Sequence, residues 1–202
     1  MHPYSIDTSE RKYSILIFAI IGIALSWGFH KIISYYKIEL PWWAESPSVL
    51  FFFGLIFMIF DKWAWKIFTN IRFIKTPNLN GEWIGHLKTS FDEHSSKKEA
   101  KLTIFQTWTK IKIILITDES SSQSDTASIL TETPEGKYLN YQYTNKPKPE
   151  AVSTMSIHLG TGQLFYNKKE NTLVGEYYSG RDRQNYGILH FKKIQGYKNL
   201  LN

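Results

Sequence analysis

The stretch Leu79-Asn-Gly-Glu-Trp-Ile-Gly-His-Leu-Lys-Thr-Ser90 decides the fold class. Gly81, Trp83, Gly85 and Leu87 fall on one side of a two-residue period, with Glu82, His86 and Lys88 on the other, which is the pattern of a half-buried strand. Small residues beside a large one suit the inward face of a tightly curved sheet. The same alternation returns at the far end of the chain, where Gly187, Leu189 and Phe191 oppose His190 and Lys192.

Between these ends the sequence reads as further strands. The expected runs are 80–90, 100–109, 111–117, 125–133, 137–144, 153–159, 164–176 with a break at 168–171, and 184–194. Counting both halves of the broken run gives nine candidates, one of them a bent or edge piece, so eight strands are expected. Turn-rich segments separate them: 92–98, 118–124, Pro134-Glu135-Gly136, 146–150, Gly160-Thr161-Gly162 and 169–171. No stretch of three helical turns intervenes, which argues against βαβ units. An all-β meander of this kind is expected to close into a small barrel, because closure removes exposed edges.

Upstream of Pro77 the composition changes. Tyr13 to His30, YSILIFAIIGIALSWGFH, carries no formal charge, and at about 1.5 Å per residue such a run covers most of a roughly 30 Å hydrocarbon core. It is apolar all round from Ile15 to Ile23 rather than on one face, unlike a helix packed in a soluble core. No small-x-small site follows it, so a cleaved signal peptide is disfavoured. A second run, Ser46 to Phe60, is shorter, but Lys62 can snorkel and Trp63 and Trp65 suit a headgroup region. Two transmembrane helices are expected, and Gly22 and Gly54, with Ala19 and Ser26, offer small surfaces for close helix approach. Lys31 and Lys37 lie between the runs, whereas Arg11, Lys12, Lys62, Lys66, Arg72 and Lys75 flank their outer ends. The positive-inside rule then places both termini in the cytoplasm of a bacterial inner membrane, with Pro41, Trp42 and Trp43 at the opposite interface. The expected organisation is a tail over 1–12, a two-helix membrane region over 13–76 and a cytosolic barrel over 77–202.

The net charge of +6 is shared between the parts: residues 1–76 hold eight Lys/Arg against five Asp/Glu, and the remainder sixteen against thirteen. So even a distribution lacks the basic stripe of a DNA- or RNA-binding surface, and no nucleic-acid polymer is expected as a partner. The chain has no cysteine, which excludes disulfides and thiolate chemistry. The signatures GxSxG, HExxH, GxxxxGK[ST] and GxGxxG are not found. The histidines at 2, 30, 86, 94, 158 and 190 form no helical i, i+4 pair. Neither an enzyme nor a metal or cofactor site is expected.

The segment Gly175 to Gly187 is more informative, because it sets Arg181 and Arg183 among tyrosines. A guanidinium fork matches phosphate and tyrosine faces stack bases, while a solvated basic turn is the competing account. Gln106, Thr117 and Tyr141 either line a polar cavity or occupy outward strand positions. Ser120, Ser121, Ser122 and Ser124 read as a flexible loop, and the glycines at 81, 85, 175 and 187 as devices of barrel curvature.

The order of parts carries a resemblance. Two spans, the opening Leu79-Asn-Gly-Glu-Trp-Ile-Gly85, Gln106-Thr-Trp108, Thr117 with its serines, Leu139-Asn-Tyr-Gln-Tyr143, His158-Leu-Gly-Thr161 and Leu173-Val-Gly-Glu-Tyr177 ahead of Arg181 and Arg183 resemble the two-transmembrane, β-strand-rich effectors of bacterial CBASS antiphage systems. The resemblance implies a receptor for a cyclic dinucleotide made by a partner nucleotidyltransferase (CD-NTase). It further implies oligomerisation and disruption of the inner membrane, killing the infected cell before phage release. The ligand set it implies is Arg181 or Arg183, Thr117 and an aromatic such as Tyr143 or Tyr177, to which Gln106 is added from the strand reading. The Gly-x-Trp opening is also similar to lipocalin-type barrels, so a tethered carrier of an apolar molecule is the alternative, and a ligand-free interaction module a third.

Overall fold

The alternation around Trp83 is realised as a strand of a closed barrel. A computed structural model describes residues 1–39, 41, 48–70, 74–180 and 184–194, with backbone alone at Ser48 and Asn70. The chain divides into two compact units, residues 1–7 with everything from 76 onward, and residues 8–75.

In the first unit, strands β3 (Gly81–Thr89), β4 (Lys98–Gln106), β5 (Lys110–Thr117), β6 (Ser120–Thr133), β7 (Gly136–Pro147), β8 (His158–Asn167), β9 (Thr172–Ser179) and β10 (Tyr186–Lys193) form an antiparallel meander. It closes through pairing of β10 with β3, giving an eight-stranded barrel whose circuit is completed between β5 and β6. Two further pieces, β1 (His2–Pro3) and β2 (Ser5–Ile6), join the sheet at β5 and β6 respectively. Gly85 and Gly175 lie where a Cβ would fall 1.8 and 1.9 Å from the carbonyl oxygens of His190 and Gln163, so only glycine lets neighbouring strands bend this tightly.

The expected count of eight is met, with different bounds in three places. β6 begins at Ser120, so the serines expected as a loop belong to a strand. Ser120, Ser122 and Ser124 point inward and are buried, and the polar interior there conceals the usual apolar alternation. Residues 153–157, expected as strand, precede β8; a 3₁₀ turn at Pro149–Ala151 continues into bonds from the Thr154 and Met155 amides to Ala151 O. Gly160-Thr161-Gly162, expected as a turn, lies inside β8, paired with Tyr143, Gln142 and Tyr141.

The interior is divided along the barrel axis. At the end where β3 begins, Leu79, Trp83, Leu102, Ile104, Ile111, Ile113, Ile129, Leu139, Leu164, Leu173, Leu189 and Phe191 are fully or almost fully buried. Each such side chain contributes roughly 1.5–3 kcal/mol on leaving water, so this plug holds the fold together. Trp83 sits at its centre, its indole Nε1 donating to Leu79 O at 3.0 Å. At the other end the inward positions turn polar and space remains.

The second unit contains α1 (Glu10–Tyr35), α2 (Ser48–Ile59), a π-helical turn (Phe60–Ala64) and α3 (Trp65–Asn70). Phe18 meets Phe60 with ring centroids 4.8 Å apart and Phe29 meets Phe52 at 5.8 Å, so α1 and α2 run antiparallel. A Cβ at Gly22 would lie 3.3 Å from the Phe53 backbone nitrogen, which places this glycine, as the sequence suggested, in the helix contact; nothing approaches Gly54 within 4 Å. Among the described residues, α1 alone has the length and apolar character to cross a membrane. Trp42 and Trp43 lie outside the described residues.

Candidate ligand-binding site

The open end of the barrel holds a small cavity of about 80 Å³ beneath an open mouth. Each wall follows from strand alternation: inward positions of β3 (Leu87, Thr89), β5 (Leu115, Thr117), β6 (Ser120, Ser122), β7 (Tyr141, Tyr143, Asn145) and β9 (Tyr177, Ser179) face it. Met155 and His158 come from the β7–β8 connection and the start of β8.

Tyrosines give the cavity its shape. Tyr141 and Tyr143 are buried, with ring centroids 5.9 Å apart and planes inclined by 44°. They fit because the facing positions of β8 carry no side chain. A Cβ at Gly162 would fall 2.7 Å from Tyr141 Cε1 and Cζ, and one at Gly160 2.3 Å from Tyr143 Cζ. Burial, with a smaller contribution from Tyr143, holds the Tyr141 hydroxyl protonated far above the ordinary tyrosine range.

One wall is a hydroxyl and amide array. The Asn145 Nδ2 donates to Ser120 Oγ at 2.9 Å and to Ser122 Oγ at 2.8 Å. Thr117 Oγ1 accepts the Ser120 amide at 3.0 Å, closing the tight β5–β6 turn. The Asn145 Oδ1 is buried without a hydrogen-bond partner, an unused acceptor beside the cavity. At the rim, Lys98 Nζ lies 2.9 Å from a Glu119 carboxylate oxygen. Half-exposed pairs of this kind are weak, so this ammonium is readily redirected to an anion.

Of the residues named from sequence, Thr117, Tyr143 and Tyr177 are brought together at this cavity. Arg181 and Arg183 lie outside the described residues; Ser179 and Asn185, which bracket them in the chain, both line it. Gln106 is elsewhere. It is buried at the plugged end and fully engaged, Oε1 accepting the Leu79 amide at 2.8 Å and Nε2 donating to Pro77 O at 3.1 Å. The sequence left its strand face open; the structure points it inward, but at the plugged end, away from the cavity. Ser120, Ser122, Asn145, Met155 and His158 were not anticipated; the Ser-x-Ser-x-Ser alternation over 120–124 was the available signal.

These features define a class: a small closed barrel, packed solid at one end and open at the other into a tyrosine- and hydroxyl-lined pocket. Residues 74–193 match the family described as the Cap15 cyclic dinucleotide receptor domain, and the chain belongs to that family, as its resemblance to the β-rich CBASS effectors implied. Two relatives bear the name CD-NTase-associated protein 15. That of Yersinia aleksiciae is 33% identical over 138 residues, 67% of this chain and 64% of the relative. That of Staphylococcus schleiferi is 34% identical over 134 residues, 66% of this chain and 69% of the relative. The match to the Yersinia protein thus spans slightly under two thirds of that protein's length.

Proposed function

We propose that this chain is a CBASS antiphage effector that binds a cyclic dinucleotide in the open end of its barrel, oligomerises and disrupts the bacterial inner membrane. The observation that carries the reading is the tyrosine- and hydroxyl-lined open end of the barrel. A purely structural barrel of this size would be filled along its length, whereas here Tyr141, Tyr143 and Tyr177 stand beside Ser120, Ser122, Thr117 and Asn145 around open space. Tyrosine faces stack bases, and the hydroxyls, the amide, Lys98 and His158 supply donors for two phosphates and for base edges. Arg181 and Arg183, in the connection between two lining residues, are proposed as further phosphate donors. The relatives' name associates them with a CD-NTase, and such an enzyme would supply the ligand. No catalytic role is proposed for the barrel.

For the membrane part, α1 buries only Phe18, Gly22 and Ser26 and leaves Ile15, Leu16, Ile20, Ile23, Leu25 and Trp27 exposed. That surface suits lipid rather than water. We place α1 and the helix beginning at Ser48 across the inner membrane with both termini cytoplasmic, on the charge flanks already described. The apolar-carrier alternative is disfavoured because the apolar half of the barrel is filled, while the open half is lined by hydroxyls and an amide.

The test uses the full chain in detergent. Calorimetric titration with cyclic di-AMP, cyclic di-GMP, cyclic di-UMP and cyclic GMP–AMP is expected to give a saturable heat for at least one, weakened more than tenfold by Tyr143→Ala. The same nucleotide is expected to release dye from phosphatidylethanolamine/phosphatidylglycerol vesicles carrying the protein. No heat with any of the four would overturn the reading.

A further inference from the structure

The barrel is not closed by its own hairpins alone. β5 and β6 leave their shared turn as partners but stay paired only over Ile114–Ile116 with Ser121–Gln123. Toward the plugged end they part, and the segment ahead of α1 fills the gap. His2 and Pro3 pair antiparallel with Ile111 and Lys110 of β5, while Ser5 and Ile6 pair in parallel with Ser128 and Ile129 of β6.

Three sets of contacts hold this inserted strap. His2 Nε2 lies 2.8 Å from Ser124 Oγ, which also accepts the Ile113 amide at 2.9 Å, so this hydroxyl bridges the seam where it opens. Ser124 is the next inward residue after Ser122 of the pocket wall. Tyr4 is buried in the core, its hydroxyl 3.4 Å from Thr107 O and 3.3 Å from Gln106 Nε2. Asp7 then accepts the amides of Thr131 and Glu132 at 2.7 and 2.8 Å and the Thr131 hydroxyl at 3.0 Å. α1 starts three residues later, at Glu10.

Gln106 ties the strap to the other passage of chain. Through Pro77 O and the Leu79 amide it holds the segment that returns from the helical unit, and through Tyr4 it holds the one that leaves for it. Hydrogen bonds thus join the strap to the seam at Ser124 and to the returning chain at Gln106, and β6 itself carries the pocket wall on into the seam.

We propose that residues 2–7 are the transmission element of the receptor: ligand in the pocket shifts the strap along the β5–β6 seam, and the shift is delivered to α1. This rests on the pocket binding a cyclic dinucleotide and the helices acting on a membrane. Strands of two residues are suited to such a movement, because few ladder bonds must be exchanged. A ligand drives the shift only if it favours one strap position over another, and the serine wall shared by pocket and seam supplies that difference.

The absence of native cysteine makes a direct test available. Ser5→Cys with Ser128→Cys joins the strap to β6 at a paired position. The oxidised protein is expected to bind the tightest of the four cyclic dinucleotides within threefold of wild type, yet to lose at least tenfold of its nucleotide-triggered dye release, with recovery on reduction. Oxidised protein that releases dye as well as reduced protein would overturn the strap alone. Oxidised protein that no longer binds would show that the strap serves the pocket rather than the signal, which also overturns it. If wild type itself binds no nucleotide or releases no dye, the effector reading fails and takes this inference with it. Asp7→Ala, which loosens the same strap without a covalent bond, is expected to cut dye release with binding retained.

Discussion

Tyr141 and Tyr143 could not occupy the barrel interior if β8 carried ordinary side chains. Their rings lie against Gly162 and Gly160, so the width of the pocket is set by two missing Cβ atoms as much as by the tyrosines. Gly162→Val, whose new Cβ meets the Tyr141 ring, therefore pushes that ring into the cavity. Overpacking of this kind costs about 1–3 kcal/mol of stability, tolerable for a barrel whose plug lies elsewhere. The expected result is a modest fall in thermal midpoint with a cyclic-dinucleotide Kd raised more than tenfold in calorimetry. Thr161→Val, at the outward position between the two glycines, is expected to leave both unchanged. Equal affinity for the Gly162 variant and wild type would place the ligand away from Tyr141.

At the scale of elements, legibility followed the polarity of the interior. β3 and β10 were readable because their inward residues, Trp83, Leu87, Leu189 and Phe191 among glycines, contrast with charged outward neighbours. β6 was readable only in its plugged half: at Ser120, Ser122 and Ser124 the interior is wet, and a polar residue facing a pocket looks like one facing solvent. Gly160 and Gly162 read as a turn because a glycine announces missing bulk without saying whether a bend or a facing tyrosine requires it. β1 and β2 left no trace, since two residues carry no periodicity and their partners are more than a hundred positions away. Their attachment has its own signature in pH. Partial burial alone would raise the Asp7 pKa, but hydrogen bonds from the Glu132 and Thr131 amides and the Thr131 hydroxyl outweigh it and hold the carboxyl below its ordinary value. A lowered folded-state pKa adds stability above the unfolded value of roughly 3.9, lost as pH falls through the folded one. The thermal midpoint of wild type is thus expected to fall more steeply than that of Asp7→Asn between about pH 5 and pH 3. Parallel curves for the two proteins would show that the carboxylate does not fasten the strap.

For the whole molecule, the proposed effector role requires the helices to respond to the barrel, and within the helical unit the contact of α1 with α2 is where that response is expected. That contact runs along Phe18, Gly22 and Ser26, one residue per turn, and at Gly22 the α2 backbone comes close, with Phe53 N and Val49 O 3.3 and 3.4 Å from a Cβ placed there. Small residues permit such an approach because helix association in lipid depends on packing rather than on expulsion of water. Gly22→Leu forces the helices apart at this point. The expected outcome is a split: nucleotide binding by the full chain within threefold of wild type, with dye release from vesicles and killing of expressing cells both reduced at least tenfold. Gly54→Leu is the matched control, since no atom lies within 4 Å of the Cβ it introduces. Full dye release by the Gly22 variant would show that the close packing of α1 on α2 is not part of the lytic form, and would move the search for that form to the outward faces of the two helices.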